Sequence, residues 1–242
     1  MSALLNVQNV SKSFRGLRAV TDVSFEIDPG AIVALIGPNG AGKTTIFNMV
    51  AGALAADSGA ILFEDRPIRG LRPDEVCTLG IGRTFQIVKP FAGLSVLDNV
   101  VVGALKRCTR VNEARRIAAT ILETLGLGDK RDLSASSLTL TDRKKLEVAR
   151  ALATRPRLLL LDEVMAGLRP KECDDLVATF REINQRESIT ILLIEHVMRA
   201  VMALAEKIIV LHHGEVIAHG TPGQVVKEAA VLECYLGEET EI

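Results

Sequence analysis

The stretch Ala31–Leu54, AIVALIGPNGAGKTTIFNMVAGAL, limits what this chain can fold into more than any other. Apolar residues Ala31–Ile36 are followed by Gly37, Pro38, Asn39, Gly40, Ala41, Gly42, Lys43, Thr44 and Thr45, and then by apolar residues at helical spacing. The order is strand, glycine-rich loop of spacing G-x-x-x-x-G-K-[ST], helix. Glycines let the main chain curl so that several N–H groups converge on phosphate oxygens, and the helix that opens there adds the positive end of its dipole. Lys43 supplies a cation for the β- and γ-phosphates and Thr44 a hydroxyl for Mg2+, with Thr45 beside it. A glycine turn with an incidental lysine would need neither the strand before it nor the helix after it. The loop predicts nucleotide binding in an α/β fold and leaves the reaction open.

The rest of the chain supports that fold. RLLLLDE (Arg157–Glu163), SITILLIEH (Ser188–His196) and EKIIVLHH (Glu206–His213) are short, nearly continuous apolar runs, as parallel strands covered on both faces require. Helical patterns such as KECDDLVATFREINQR (Lys171–Arg186) separate them, which predicts a parallel core sheet. LLNVQNVSKSF, VTDVSFEI and AILFED instead alternate, as strands of a half-buried antiparallel β subdomain would. From about residue 88 to 155 the pattern is of consecutive helices, predicting a helical subdomain inserted into a single domain spanning residues 1–242. Hydrophobic residues make up 48% of the chain but aromatics only 3%, without tryptophan, so the core must be aliphatic. Few aromatics and a net charge of −1 argue against nucleic acid or anionic lipid as a direct partner. The four cysteines, Cys77, Cys108, Cys173 and Cys234, are scattered and form no Cys-x-x-Cys pair, as expected of thiols in a reducing compartment. The N-terminus lacks the basic and apolar regions of an export signal, and no apolar run is long enough to span a bilayer. A membrane role would have to come through partners.

Further residues supply the chemistry of a nucleotide hydrolase. LLLLDE ends an apolar strand in two carboxylates, and period-two alternation is expected to send them to different sides. Asp162 is assigned to Mg2+ and Glu163 to the general base for the attacking water. His196 ends another buried strand, at the sheet edge where such folds bind ligands, and would hydrogen-bond the γ-phosphate and orient the water. Gln86, in GIGRTFQ, is expected at a strand end just before the helical insertion, as a ligand to Mg2+ and a γ-phosphate sensor. Taken singly, His196 reads better as a solvated or capping residue, a balance that the other motifs reverse, and the alternative for Gln86 is an ordinary polar strand end. Phe14 is read as a ring that stacks on adenine or fills the core. His212, His213 and His219 are expected at surfaces or turns.

In this order the motifs resemble the ATP-binding subunits of ABC transporters across essentially the whole chain. IGRTFQ, AGLRPKE, EHVMRAVMALAEKIIVLHHGEVIAHGTP and the ending YLGEE are most similar to the branched-chain amino-acid importer type. The resemblance implies an ATPase with ATP and Mg2+ as cofactors, peripheral on the cytoplasmic face of the plasma membrane and docked on membrane-spanning permease subunits. Docking would use the insertion near Phe91–Val101, and a periplasmic or extracellular solute-binding protein would take part indirectly. Cargo would be branched-chain or related amino acids, with urea or amides as the alternative solute. Two ATPase subunits would close head-to-tail around two ATP molecules.

In that family each subunit also offers its partner's nucleotide a signature, typically Leu-Ser-x-Gly-Gln. Here the place is taken by SLTLTDRKKLEVAR, Ser137–Arg150. Leu138 is kept, Thr139 stands for Ser, Leu140 is the variable position, Thr141 stands for Gly and Asp142 for Gln. Val164 likewise stands where the family usually has Pro. Thr141 would lose glycine's conformational freedom. At about 8 Å and an effective dielectric near 20, the Asp142 carboxylate would repel a phosphate by roughly 2 kcal/mol per unit charge. Arg143, Lys144 and Lys145 are expected to offset part of this, unless Thr141 or Asp142 simply caps the helix with the carboxylate turned away. The departures suggest a different partner subunit and two unequal ATP sites, the alternative being a tolerated family variant with two active sites. Against a GTPase stands the absence of Asn-Lys-x-Asp, and against a non-hydrolysing regulatory subunit stand Glu163 and His196. A soluble ABC-type ATPase without a permease is the other alternative.

Overall fold

The computed structural model describes residues 2–236, so Gly237–Glu239 of the YLGEE ending lie outside the described residues. In chain order the elements are β1 (Leu5–Phe14), β2 (Leu17–Ile27), β3 (Ile32–Ile36), α1 (Lys43–Val50), β4 (Ser58–Phe63), β5 (Arg66–Pro67), α2 (Pro73–Leu79) and β6 (Ile81–Arg83). There follow α3 (Val96–Ala104), α4 (Val111–Thr124), two 3-10 turns (Gly128–Lys130, Ala135–Ser137) and α5 (Leu140–Ala153). The chain then returns through β7 (Leu158–Asp162), α6 (Pro170–Glu187), β8 (Thr190–Ile194), α7 (Met198–Leu204), β9 (Lys207–His212), β10 (Glu215–Gly220), α8 (Pro222–Val225) and α9 (Ala229–Leu236).

The central sheet runs β10-β9-β3-β8-β7-β6 and is parallel apart from β10, which pairs antiparallel with β9. A second, antiparallel sheet runs β2-β1-β4-β5. Strand pleating feeds two separate hydrophobic layers. Ile32, Ala34 and Ile36 of β3, with Leu159, Leu161, Ile191 and Leu193, face the core formed with α3–α7. Val33 and Leu35, with Leu158, Leu160, Leu192 and Ile194, face the core shared with α1 and the antiparallel sheet. Both faces are therefore covered, which is why these strands are continuously apolar.

Between residues 96 and 153 the chain forms α3, α4, the two 3-10 turns and α5. Ser95 caps α3 by accepting from Asp98 N at 3.0 Å, and α4 buries Ala114, Ala118 and Leu122 at four-residue spacing. Two short strands, β5 and β10, have no equivalent in the sequence reading. β9 and β10 are joined by His213 (φ 47°) and Gly214 (φ 83°), a two-residue hairpin in which a histidine takes the left-handed place more often given to Asn or Asp. α1 stops at Val50 rather than running to Leu54, because Gly52 turns left-handed at φ 72° just beyond it. Among the described residues no helix is long and apolar enough to cross a membrane, and all four cysteines are free thiols.

Candidate nucleotide-binding site

The glycine-rich loop joins β3, near the middle of the central sheet, to α1. Two of its glycines are required by close main-chain approach. A Cβ on Gly37 (φ 145°) would lie 2.0 Å from the Leu211 carbonyl oxygen, and one on Gly42 (φ 101°) 2.5 Å from that of Ala19. The loop is thus clamped between β9 and β2. Lys43 is buried and folds back over it, donating to the carbonyls of Gly37 at 2.6 Å and Pro38 at 2.8 Å. Asn39, Gly40 and Thr44 are exposed, and Ala41 is buried.

Thr44, Gln86 and Asp162, the three expected Mg2+ ligands, line one cleft of about 440 Å3. Among the described residues no cluster of His, Cys, Asp or Glu could hold a metal by itself. A hydroxyl, an amide and one carboxylate instead form an oxygen donor set that suits Mg2+ when phosphates complete its shell. Asp162 closes β7, 3% exposed, and accepts a hydrogen bond from Arg83 at 2.9 Å. Burial pushes its carboxyl above the ordinary range, and the Arg83 guanidinium pulls it back part of the way. Arg83 also donates to Asn48 of α1 at 2.6 Å, so it ties the acidic strand to the helix of the phosphate loop.

Glu163 lies just past the strand with φ 49°, a left-handed conformation for a residue with a side chain. The two carboxylates are thus separated by a turn in the backbone, not by the strand alternation expected from sequence. Glu163 Oε2 accepts from Gln86 Nε2 at 2.7 Å, and Oε1 lies 3.2 Å from His196 Nε2. Gln86 is in the loop three residues beyond β6 and not at the strand's end, which lets its amide reach across to β7. Carboxylate, imidazole and amide, taken from three segments distant in sequence, form one hydrogen-bonded group. Such a carboxylate can take a proton from a water held by its neighbours.

Phe14 ends β1, is 45% exposed and has the Lys12 ammonium over its ring, 5.7 Å from the centroid, so it is not part of the core. His213 and His219 are exposed and His212 half-buried. His212 and His213 also line a cleft against Pro38, Asn39 and Gly40, a proximity that the sequence did not signal.

The signature segment is built unlike the sequence expectation. Thr139 is the N-cap of α5: its Oγ1 accepts from Asp142 N at 3.2 Å and donates to Asp142 Oδ2 at 2.8 Å. The Lys130 ammonium meets the same Oδ2 at 2.8 Å. Burial raises the Asp142 carboxyl, but Lys130 and Thr139 more than reverse this and hold it below its ordinary value. The anion is therefore neutralised from the preceding 3-10 turn. Arg143 is spent on Ser136 O and Lys144 on the carbonyls of Glu163 and Ala166, so of the three cations expected to help only Lys145 adds to the field at Asp142. Thr141 lies in the first turn of α5 and is not among the residues of positive φ, so glycine's freedom is not needed there. Its hydroxyl donates to Glu172 of α6 at 3.2 Å. Leu138 is buried and Leu140 exposed.

Arg83 and Lys130 contact candidate residues, and Glu195 the main chain of Met165, without a role expected from sequence, and Lys144, expected to offset Asp142, instead binds the main chain of Glu163 and Ala166. For Arg83 a signal existed: β6 pairs in parallel with β7, Arg83 opposite Leu160, which puts its guanidinium beside the acidic strand end.

The ABC transporter family profile matches residues 20–166. This chain belongs to that family. A second profile, for the branched-chain amino acid ATP-binding cassette transporter, matches residues 215–241. The chain is 40% identical to the high-affinity branched-chain amino acid transport ATP-binding protein LivG of Escherichia coli K12, over 97% of this chain and 98% of the relative. It is 37% identical to the corresponding BraF of Pseudomonas aeruginosa, over the same shares of the two chains. It is also 36% identical to the lipopolysaccharide export system ATP-binding protein LptB of E. coli K12, over 98% of each. The ADP conformation of MJ1267, an ATP-binding cassette of an ABC transporter, superposes with a TM-score of 0.88 at 31% identity, covering 98% of this chain and 100% of that one. The chain is an ABC ATPase of the Liv type, an ATP-binding subunit whose family works with membrane permeases.

Proposed function

We propose that this ABC ATPase powers import of branched-chain or related amino acids from the cytoplasmic face of the membrane, with Mg2+ as the metal and a solute-binding protein delivering the cargo. One observation carries the hydrolytic part: Glu163 is hydrogen-bonded to His196 and to Gln86, and Gln86 lines the cleft shared by Thr44 and Asp162. In this reading the loop Gly37–Thr45 cradles the phosphates and Lys43 turns from the loop carbonyls to them. Thr44, Gln86 and Asp162 would hold Mg2+, which supplies charge neutralisation at the phosphates when bound. Glu163 takes the proton of the attacking water, His196 orients it, and Phe14 offers its ring to the base. The single domain includes the helical insertion, and its exposed Phe91 and Leu94 contribute to the contact with the permease. The names of LivG and BraF, together with the C-terminal profile match, support the amino-acid cargo.

The second ATPase subunit is a different chain. This chain's intact phosphate loop and Glu163 face the partner's signature, while its own Thr139–Asp142 faces the partner's nucleotide. Neutralisation of Asp142 by Lys130 makes that second site weaker but not lost. The test is the assembled transporter in vesicles: uptake of labelled leucine should need ATP, and Glu163→Gln in this chain should stop hydrolysis at its site while ATP still binds. Leucine uptake that is unaffected by the variant, or displaced by urea and not by valine, would defeat the reading.

A further inference from the structure

Two buried charges lie behind the catalytic group and none of the roles above uses them. Lys144 of α5 is 7% exposed, and Glu195, between β8 and His196, is 1% exposed. Lys144 Nζ donates to the carbonyl of Glu163 at 3.0 Å and also to that of Ala166. Glu195 Oε1 accepts the main-chain N–H of Met165 at 2.8 Å, and its Oε2 is buried without a well-formed partner. From the far side, the Cys173 thiol of α6 reaches Met165 O at 3.8 Å. Glu163 N donates to Ile194 O at 2.9 Å. The polar main-chain atoms of residues 163–166 are thus seized from α5, from the end of β8 and from α6.

The arrangement has a mechanical reason. A non-glycine residue at φ 49° costs about 1 kcal/mol or more and persists only where its surroundings fix it. Burying an ammonium and a carboxylate is also unfavourable unless each is hydrogen-bonded or paired. Burial pushes Lys144 down and Glu195 up to about 7, while each group's charge opposes the other's shift. Leucine or methionine at either position would suit the surrounding apolar core better, so stability alone does not account for the pair.

We propose that Lys144 and Glu195 are positioning residues: a buried brace that locks the backbone of Glu163–Ala166, fixes Glu163 in its left-handed conformation and so aims its carboxylate between Gln86 and His196. Because Lys144 belongs to α5, the helix that begins at Thr139, the brace also links that segment rigidly to the base of the same chain. The proposal rests on Glu163 being the general base.

The test uses the full chain with Glu195→Leu, Lys144→Met, and the conservative Glu195→Gln and Lys144→Arg, each first checked for a cooperative melt. Two quantities are read: amide hydrogen exchange of Met165 without nucleotide, and single-turnover ATP hydrolysis beside ATP affinity. Glu195→Leu and Lys144→Met should speed Met165 exchange at least about tenfold and lower kcat about 10- to 100-fold, with ATP affinity within about twofold of the parent. Glu195→Gln keeps an acceptor for Met165 N–H and Lys144→Arg keeps donors, and both should recover most of the loss. Unchanged Met165 exchange in a folded Glu195→Leu variant would overturn the brace. So would loosened exchange with full kcat, or an equal fall in kcat and ATP affinity. A parent chain that binds but never hydrolyses ATP would instead sink the assignment of Glu163, and the exchange comparison would still decide whether the brace exists.

Discussion

Replacing Lys130 by Ala removes the ammonium that meets Asp142 Oδ2 at 2.8 Å and leaves the carboxylate with Thr139 and the start of α5. The Lys130 side chain is 33% exposed but that of Asp142 only 11%, so the pair is partly buried and its loss should cost the fold about 1–2 kcal/mol, the Thr139 hydroxyl still serving the carboxylate. A phosphate presented by a second subunit would be affected as well. With the pair intact Asp142 contributes almost no net charge at a distance. Unpaired, its charge at about 8 Å in an effective dielectric near 20 opposes each unit of phosphate charge by roughly 2 kcal/mol, a factor of about 30 in affinity. Asp142→Asn in the same chain should remove the repulsion while keeping an acceptor for the Thr139 hydroxyl.

The assay is ATP-driven association followed by light scattering in the Glu163→Gln background, with the chain alone or with its partner subunit. Lys130→Ala should raise the ATP concentration needed for closure about 30-fold while lowering Tm by only about 2–8 °C. Lys130→Ala with Asp142→Asn should return it to within about threefold of the parent. Closure by Lys130→Ala at the parent's ATP concentration would show that Asp142 does not face a phosphate. A double variant as poor as the single would mean that Lys130 contacts the phosphate itself, and that charge neutralisation is the wrong account.

Three further outcomes follow from the same geometry. Glu195 holds a proton in the folded chain between pH 4.5, its ordinary value, and about 7, where the unfolded chain has lost it. Its contribution is therefore complete below pH 4.5 and lost as pH rises through 7, about 3 kcal/mol in all; urea unfolding at pH 5 and pH 8 should show that slope shrink in Glu195→Gln, with Lys144, Glu163, Cys173 and His196 unchanged around it. Gly37→Ala would set a Cβ 2.0 Å from a main-chain oxygen that cannot swing away, and should cost at least about 3 kcal/mol and roughly 10 °C in Tm. Gly40→Ala meets nothing within 4 Å and should cost only about 1 kcal/mol; equal losses at the two glycines in thermal melts would contradict this. Arg83→Met leaves Asp162 buried and unpaired and should destabilise by about 3 kcal/mol, with Asp162→Asn restoring part of it in urea denaturation.

What the sequence made legible was local. The glycine-rich loop, the four continuous apolar strands and the helices α3–α5 each follow from residues close along the chain, and the carboxylates, His196 and Gln86 drew attention because they lie at or just beyond the ends of such runs. Their relative placement was misjudged where the backbone departs from regular structure, at Glu163 with its left-handed turn and at Gln86 beyond its strand. The charged residues were the harder case. Arg83 finds Asp162 at 79 residues' separation, Lys130 finds Asp142 at 12, and Glu195 binds a main-chain N–H 30 residues earlier. Periodicity assigns a charge to solvent or to a ligand because it has no way to represent a third destination, the buried main chain. Lys144 shows the consequence. Read along α5 it is one of three cations available to offset Asp142, yet it points to the opposite side of the helix and fastens the segment that carries Glu163. Thus the departures at the start of α5 are met locally, Asp142 by Lys130 and Thr139 and Thr141 by Glu172, while Lys144 of the same helix holds the main chain of Glu163 and Ala166.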